Sequence, residues 1–509
     1  MATTRAILQV LDNYQKCKLD FVEAICELST KEQNVEVLHS SGVLQFLKPL
    51  LLDTIPHVQQ AAAFALGRMA NFSEDLAIGI VDNNIHYQAL RSLKELNRYN
   101  KKPAACMLGG IAKHNSQLAQ EIVDIGSVEQ IVLCLEEFEP GVKEVGCSAV
   151  GYIAKHGLNF AESVINAKAV PLLVISIQDT DLALRRASVL ALAEIAKHGA
   201  NVAQVVVDAT AVPLLATLIT HPDAKLKRNA CYCLSSISKH SPELANIVVG
   251  AGIFPKIYIS LKDADPQVRR NAAILIREVC KHTPTLAQIV VGGGGAAAIV
   301  ENVTDTRGSE RLPSIMTMGF IASFSETFAD MLVSLNGIPP LVDALNTEPE
   351  DHIKSACVWS LGHIARHTST NALSVAQCGA LQKIVVLLLS PRSCEDLKSK
   401  CVKTLKGVIQ KLRHLPALDA LLQGPKLPED LLKLLVLQLE KILENDEDGR
   451  THFVTSGGFE KLQKSSIEPD NELKQSIEHI NTFYPVEIVQ YYSPNYPDLL
   501  LRKVIRGES

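Results

Sequence analysis

The segment Ile195-Ala-Lys-His198 decides the fold, because close copies of it recur at a fixed interval along the chain. Counterparts lie 42 residues before it, at Ile153-Ala-Lys-His156, and 42 residues after it, at Ile237-Ser-Lys-His240. The series also contains Ile111-Ala-Lys-His114, Val279-Cys-Lys-His282 and Ile364-Ala-Arg-His367, with degenerate copies at Leu28-Ser-Thr30, Met69-Ala-Asn-Phe72 and Ile321-Ala-Ser-Phe324. A fixed period of this length predicts an uninterrupted array of at least nine repeats.

Each repeat is predicted to hold three helices. After the histidine, a short amphipathic segment such as Pro242–Val249 stops near a small residue, Gly252, which is a helix C-cap signal. A second helix follows, as in 170–177, and a third covers 265–279 and ends at Lys-His. Because no such unit buries its apolar face alone, neighbours must stack. The pattern predicts an all-α, armadillo-repeat superhelical solenoid of about nine to ten three-helix repeats with a divergent C-terminal cap.

The period fails after a tenth, weaker unit that ends near Lys411. We therefore divide the chain into a repeat solenoid, residues 1–412, and a divergent helical C-terminal cap with an aromatic tail, residues 413–509. The tail 484–497 concentrates tyrosine and proline rings, and we interpret it as a terminal cap or as a docking segment. Tyr491 and Tyr492 are its candidate contact residues.

Composition excludes several classes of protein. Of the 509 residues, 47% are apolar and only 5% aromatic, which suits close-packed helices and disfavours an all-β fold. A charged fraction of 21% beside that apolar content excludes a disordered chain. The net charge of −5 argues against a globally basic nucleic-acid binder.

The sequence also carries expectations about cellular location. Apolar stretches such as Lys383–Leu389 fall short of the ~20 residues that span a bilayer, so we expect no membrane association. The N-terminus lacks a signal-peptide pattern, and the twelve cysteines contain no Cys-x-x-Cys pair. We expect a cytoplasmic protein with reduced core thiols.

No sequence motif indicates catalysis. The chain has no Gly-x-Gly-x-x-Gly, no phosphate-binding Gly-x-x-x-x-Gly-Lys-Ser/Thr and no His-Glu-x-x-His. The run Gly292–Gly295 falls where other repeats end a helix, so we interpret it as a turn. We expect no enzyme activity, no catalytic or metal-binding residues and no cofactor.

Two series of basic residues recur with the repeat. The first ends the third helices and comprises Lys113, Lys155, Lys197, Lys239, Lys281 and Arg366. The second begins the third helices, and its candidate binding residues are Arg185, Arg186, Lys227, Arg228, Arg269 and Arg270. Cations at helix C-termini are favoured by the dipole, and a solvated face with salt bridges would explain the second series. The alternative is that both series contact an extended acidic partner.

Nuclear-import receptors resemble this architecture but bind basic peptides through a Trp and an Asn four residues later on successive third helices. Here the only Trp, Trp359, is followed by His363, and the equivalent pair Tyr232/Ser236 is equally unlike that pattern. We therefore expect no basic-peptide cargo.

Several segments outside the repeat motif are similar to one family along the whole chain. They are Leu50-Leu-Leu-Asp53, Ala65-Leu-Gly-Arg68, Pro140-Gly-Val-Lys-Glu144, Glu348-Pro-Glu-Asp-His-Ile-Lys354, Phe453-Val-Thr-Ser-Gly-Gly458 and the tail from Tyr484 through Tyr496. By these segments the chain resembles the armadillo-repeat proteins of the ciliary and flagellar central apparatus. Where the family pattern has a Trp and a basic residue, this chain has Ser148 and Gly151.

That resemblance implies a non-enzymatic structural scaffold of the axoneme, in the cytoskeleton of a cilium or flagellum. It implies binding to a central-pair microtubule (tubulin) and to other central-apparatus proteins, WD-repeat partners among them, in support of motility. Self-association is a further possibility. A different class stays open, namely a soluble catenin-like adaptor that binds an acidic or disordered partner in its concave groove.

Overall fold

The computed structural model describes residues 2–95, 98–464 and 471–496, and the regular structure in these ranges is helical throughout. Two compact units divide the chain, Met1–Ser260 and Leu261–Ser509. This division falls inside the repeat array, and the domain boundary expected at 412/413 stays a prediction.

The first unit contains eighteen α-helices in the part of it that the structure describes, and the corresponding part of the second contains sixteen. Those of the first unit are α1 (Ala2–Leu28), α2 (Glu32–Ser40), α3 (Val43–Leu50), α4 (Pro56–Phe72), α5 (Glu74–Asp82), α6 (Ile85–Lys94), α7 (Arg98–Ala112), α8 (Ser116–Asp124), α9 (Val128–Leu133), α10 (Pro140–Ala154), α11 (Leu158–Asn166), α12 (Ala169–Ser176), α13 (Leu182–Ala196), α14 (Ala200–Asp208), α15 (Ala211–Leu218), α16 (Ala224–Ser238), α17 (Pro242–Gly250) and α18 (Lys256–Ser260). Those of the second unit are α19 (Pro266–Cys280), α20 (Pro284–Val290), α21 (Ala296–Asp305), α22 (Leu312–Phe324), α23 (Glu326–Ser334), α24 (Ile338–Thr347), α25 (Asp351–Ala365), α26 (Ser369–Gln377), α27 (Ala380–Leu389), α28 (Glu395–Lys411), α29 (Leu415–Gln423), α30 (Glu429–Leu443), α31 (Glu447–Thr455), α32 (Gly458–Lys464), α33 (Asn471–Asn481) and α34 (Val486–Tyr492).

The predicted three-helix repeat is confirmed. In the first unit every third helix packs against the next one in the series α1, α4, α7, α10, α13 and α16, and α19, α22, α25 and α28 do the same in the second unit. Equivalent positions of these helices build the core of the first unit. Leu66, Leu108, Val150, Leu192 and Leu234 lie 42 residues apart, and all five are fully buried.

A left-handed residue marks the turn between the first and second helix of each repeat. The predicted glycine signal is present at Gly252, with φ of 70°, and at Gly294, with φ of 81°. Other repeats place Asn84, Lys168 or Thr210 at this position, also with positive φ. The Gly292–Gly295 run therefore contains the turn position of its own repeat, as the sequence predicted.

The residue after each histidine position begins the next helix. Asn115, Ser241 and Thr283 accept hydrogen bonds from the backbone N–H three residues later, which is the N-cap arrangement that these residue types favour. Each third helix thus ends within a few residues of the start of the next repeat.

One apolar stretch is longer than the sequence suggested. By length and composition alone, the 22 residues Pro284–Asp305 could cross a bilayer, and half of the tested window is buried inside the protein. Three bent helix pairs in other repeats would qualify only if each pair counted as one span. The expectation that apolar stretches fall short of spanning length is wrong for Pro284–Asp305, where glycine and alanine link two helices of one repeat.

The C-terminal part holds the aromatic tail on a small apolar core. Phe453 and Phe459 are fully buried, and their rings meet edge to face. Tyr484 and Tyr492 both contact the ring of Phe459. The tail thereby packs against α32, while Pro497 lies outside the described residues.

Candidate partner-binding surface

The first basic series lies at equivalent places in the repeats. Lys155, Lys197, Lys239, Lys281 and Arg366 are the C-cap residues of their third helices, and Lys113 directly follows α7. In each case the cation sits where the negative end of the helix dipole is strongest. The predicted helix-end position is therefore confirmed for all six residues, whereas contact with a partner stays a prediction.

The six cations differ in their neighbours. Lys197 pairs with Glu194 and Lys281 pairs with Glu278, one helical turn earlier in each case. Lys239 also interacts with another group of the protein. Lys197 and Lys281 are therefore partly neutralised within the chain.

Lys113, Lys155 and Arg366 are less neutralised. Lys113 Nζ donates to the carbonyl oxygen of Asn71 at 3.1 Å, and Arg366 donates to the carbonyl oxygen of Ser323. Among the described residues, no carboxylate oxygen lies within 4.0 Å of the Lys113 or Lys155 ammonium. Partial burial lowers the pKa of Lys155, and the like charges of Lys113 and Lys197 act in the same direction against Glu194. The charges of the lysines in both neighbouring repeats thus act on Lys155.

The histidine beside each cation has a role that sequence analysis missed. The Nε2 atoms of His114, His156, His198 and His240 lie 2.6 to 2.8 Å from the carbonyl oxygens of Ala70, Ala112, Ala154 and Ala196 respectively. Each accepting carbonyl lies in the last turn of the third helix of the preceding repeat. In the second unit, His367 reaches Ala322 in the same way at 2.7 Å. The histidines therefore connect neighbouring repeats within each unit. In the sequence, the signal that could have indicated this role is the regular recurrence of the histidine, about 44 residues after the residue whose carbonyl it contacts.

Most of the second basic series makes contacts within the chain. Arg186 forms a two-pronged ion pair with Asp223, which lowers the pKa of Asp223 to about 2, and the same carboxylate caps α16. Arg269 pairs with Glu310 and donates to the Asp263 carbonyl oxygen at 2.8 Å.

Of the four remaining members of that series, three also interact with other groups of the protein. Arg185 donates to the Ile177 carbonyl oxygen at 3.0 Å, and Lys227 and Arg228 interact with other groups of the protein. The Nε atom of Arg270 is buried without a hydrogen-bond partner. Salt bridges within the chain thus engage Arg186 and Arg269, whereas contact of this series with a partner stays a prediction.

A shallow cavity lies near Lys113, whose ammonium donates to the carbonyl oxygen of the lining residue Asn71. It has a volume of about 150 Å³ and lies between α4, α7 and α10. Its lining consists mainly of small residues, including Cys106, Gly110 and Ser148, together with Asn71 and Tyr152. Ser148 and Gly110 are positions where an import receptor would present Trp and Asn, so the cavity exists because those large side chains are absent.

The single tryptophan packs against neighbouring aromatic side chains, and no series of tryptophans recurs with the repeat. Trp359 stacks edge to face on Phe320 and on His363, with ring centroids 5.1 and 4.7 Å apart. A Cβ atom at Gly319 would lie 2.2 Å from the Trp359 ring, so the glycine makes room for it. Burial lowers the pKa of His363 to about 4, and Arg366 contributes to the shift.

The two candidate tyrosines of the tail have unequal environments. Tyr492 is half-buried against Phe459, whereas Tyr491 is exposed and contacts the rings of Tyr492 and Tyr496. Tyr491 is therefore the member of the pair that a partner can reach.

The cysteines are unpaired, and seven of the twelve are buried. Burial raises the pKa of Cys147, Cys280 and Cys357 to about 12 in each case, which keeps them as thiols. Over residues 2–95, 98–464 and 471–496, no three His, Cys, Asp or Glu side chains gather as metal ligands.

The family of this chain follows from its similarity to known proteins. The family model for the armadillo/beta-catenin-like repeat matches residues 200–239 and 328–366. Sperm-associated antigen 6 from mouse is 70% identical to this chain over 500 residues, which cover 98% of both chains. The human protein of the same name matches with the same identity and coverage. The chain belongs to the sperm-associated antigen 6 family.

The solved structures agree on the fold. A crystal structure of an engineered protein superposes with a TM-score of 0.68 at 22% identity, covering 86% of this chain and 98% of the other. At that identity the likeness shows the fold alone. This member of the sperm-associated antigen 6 family is an all-α armadillo-repeat solenoid, and its repeats form a protein scaffold.

Proposed function

We propose that the protein is a non-enzymatic scaffold of the axoneme, where it binds a central-pair microtubule and other central-apparatus proteins and supports motility. The observation that carries the proposal is the 70% identity to sperm-associated antigen 6 over 98% of the chain, because that similarity includes the tail as well as the repeats. Helical repeats also offer a long surface with many weak contact points, which suits a scaffold.

Localisation tests the proposal directly. The tagged protein should remain with demembranated flagella after detergent and low-salt extraction, and it should be lost from flagella that lack the central pair. A protein that is released completely by detergent would contradict the axonemal assignment.

The first basic series supplies the microtubule contact in this proposal. Each exposed ion pair contributes well under ~1 kcal/mol, so useful affinity requires repetition and should fall steeply with salt. Reversal of Lys197, Lys239 and Lys281 together to Glu should weaken microtubule co-sedimentation far more than any single reversal.

The structure allows a cleaner variant than that triple change. Lys113→Glu with Lys155→Glu reverses two cations whose ammonium groups have no carboxylate oxygen within 4.0 Å in the described ranges, although Glu194 acts on Lys155 from a longer distance. Glu at 197 or 281 would instead directly face Glu194 or Glu278. The matched control is Lys225→Glu with Lys256→Glu, since both are exposed and lie off the series. Equal co-sedimentation of the Lys113→Glu/Lys155→Glu variant and the control across a salt series would exclude the first basic series as the binding surface and leave Tyr491 as the better candidate.

A second function is favoured by the cavity between α4, α7 and α10. Small side chains near Lys113, and on α10 about two helical turns before Lys155, would suit an acidic peptide with one apolar side chain, as in a soluble catenin-like adaptor. Ser148→Trp fills this cavity without changing a charge. Loss of acidic-peptide binding in Ser148→Trp, together with unchanged co-sedimentation, would favour the adaptor over the microtubule scaffold.

A further inference from the structure

Phe138 is an aromatic side chain with no packing role in the fold. Its relative exposure is 101%, and it lies in the turn between the second and third helices of its repeat, just before α10. The equivalent positions in the next three repeats are Thr180, Pro222 and Ala264, which are ordinary turn residues. The turn therefore does not need an aromatic residue. Exposure of the whole Phe138 ring to water carries an unfavourable hydration free energy that no contact with another described residue offsets.

Two further apolar side chains accompany it. Leu133 on α9 and Ile175 on α12 occupy equivalent repeat positions and are 49% and 64% exposed. The 3-10 turn Cys134–Glu136 that follows Leu133 packs against α12, which places these side chains in adjoining elements. We call Leu133, Phe138 and Ile175 the Phe138 patch. Repeats on either side carry Arg91 and Thr217 at the Leu133 position, so the patch is confined to two repeats.

The surroundings of the patch are acidic. Glu136 and Glu139 flank Phe138 and are exposed, whereas Glu137 is paired with Lys101. Asp179, three residues after the end of α12, is partly exposed, and its carboxylate accepts a hydrogen bond from the Asp181 backbone N–H. Carboxylates therefore adjoin the patch along the chain in both repeats, with the Lys102 ammonium close to the turn at Gly141, and a partner that covers the patch is expected to bring cations to the carboxylates.

We propose that the Phe138 patch is a docking site for an amphipathic helix whose apolar face is flanked by lysine or arginine. Phe138 is the anchor, because a rigid aromatic side chain that becomes fully desolvated typically dominates such interfaces. Leu133 and Ile175 extend the apolar contact along the bound helix. This site goes beyond the scaffold function proposed above, and it uses neither basic series.

The test measures binding of defined helical probes to the full chain. The probe is a fluorescent peptide of about 18 residues with leucines on one face and lysines on the other, a length that covers two adjoining repeats. The second probe replaces every lysine by glutamate. Fluorescence anisotropy is followed for the wild type, for Phe138→Ser and for Ile259→Ser. Ile259 provides a matched control, because it is 70% exposed on α18 and occupies the repeat position of Ile175 without an exposed aromatic neighbour.

We expect saturable binding of the lysine probe by the wild type, a dissociation constant at least about tenfold weaker for Phe138→Ser, and unchanged binding for Ile259→Ser. Equal binding by Phe138→Ser and the wild type would overturn the proposal. So would equal losses in both variants, since the probe would then be recognising any exposed apolar residue. Equal affinity for the glutamate probe would refute the assigned charge of the partner. Circular dichroism establishes that each variant is folded.

Discussion

The imidazole of His156 donates from Nε2 to the carbonyl oxygen of Ala112, 2.7 Å away, and so joins the end of α10 to the end of α7. The Ala112 carbonyl lies in the last turn of its helix, where no backbone N–H is left to pair with it. The histidine supplies that missing donor from the next repeat. One residue per repeat thus caps a helix and connects two repeats.

Replacement of His156 should weaken this connection. We expect His156→Ala to lower the free energy of unfolding by about 1–2 kcal/mol, because the Ala112 carbonyl loses its donor in a half-buried place. His156→Gln should recover part of the loss, since its amide N–H reaches about as far. Urea denaturation measures the change, and His57→Ala, at an exposed histidine, is the control. Equal losses for the Ala and Gln variants would contradict the hydrogen-bond account.

Thr210 should be replaceable with a gain in stability. It is a β-branched residue held at φ of 61°, where the equivalent Gly126 has no strain. We expect Thr210→Gly to raise the free energy of unfolding by about 1 kcal/mol, visible as a higher melting temperature. Thr217→Gly, inside α15, should have the opposite sign because glycine disfavours a helix interior. A lower melting temperature for Thr210→Gly would show that its side chain makes a contact worth more than the strain.

His363 should make stability depend on pH in the mildly acidic range. Burial, with smaller contributions from Arg366 and His367, lowers its pKa from 6.5 to about 4. The unfolded chain therefore binds a proton below about pH 6.5 that the folded protein accepts only near pH 4, and stability falls as the pH drops between these values.

Trp359 reports on this titration because it is the only tryptophan and contacts the His363 ring. Its fluorescence should change with a midpoint near pH 4 in the wild type, and this transition should be absent in His363→Leu. A midpoint near 6.5 would mean that the imidazole is more open to water than its packing indicates.

Arg311 should be sensitive to the loss of its partner. Its side chain is fully buried, 3.2 Å from Glu348 and 2.9 Å from the Val303 carbonyl oxygen. Arg311→Met leaves the Glu348 carboxylate buried with one charge fewer to oppose it, and we expect a loss of about 3–5 kcal/mol. Arg311→Met combined with Glu348→Met should cost less than the sum of the single changes, as measured by a double-mutant cycle. Lys398→Met, in an exposed ion pair, should change stability by less than ~1 kcal/mol. Strict additivity at 311 and 348 would contradict a coupled buried pair.

Part of the candidate surface was predictable from the chain alone. The helix-end position of Lys155 and its counterparts followed from a period of 42 residues, because stacking places equivalent residues in equivalent surroundings. The difference between Lys155 and Lys197 did not follow from the period. It depends on Glu194, which lies one turn before Lys197 and neutralises it, whereas the same position before Lys155 is Tyr152.

The sequence by itself determined the three-helix repeat, its turn glycines and its helix-end cations, since periodicity and capping are local properties of the chain. Only the tertiary structure decided which polar groups remain for a partner. In the sequence, Arg186 looks like a free surface cation. In the structure it forms an ion pair with Asp223, which lies 37 residues later. Phe138 looks like one more apolar residue, yet the packing of its repeat leaves it wholly in water. The physical reason is that exposure and ion pairing depend on which side chains the stacking of neighbouring repeats brings within reach, and no single repeat contains that information.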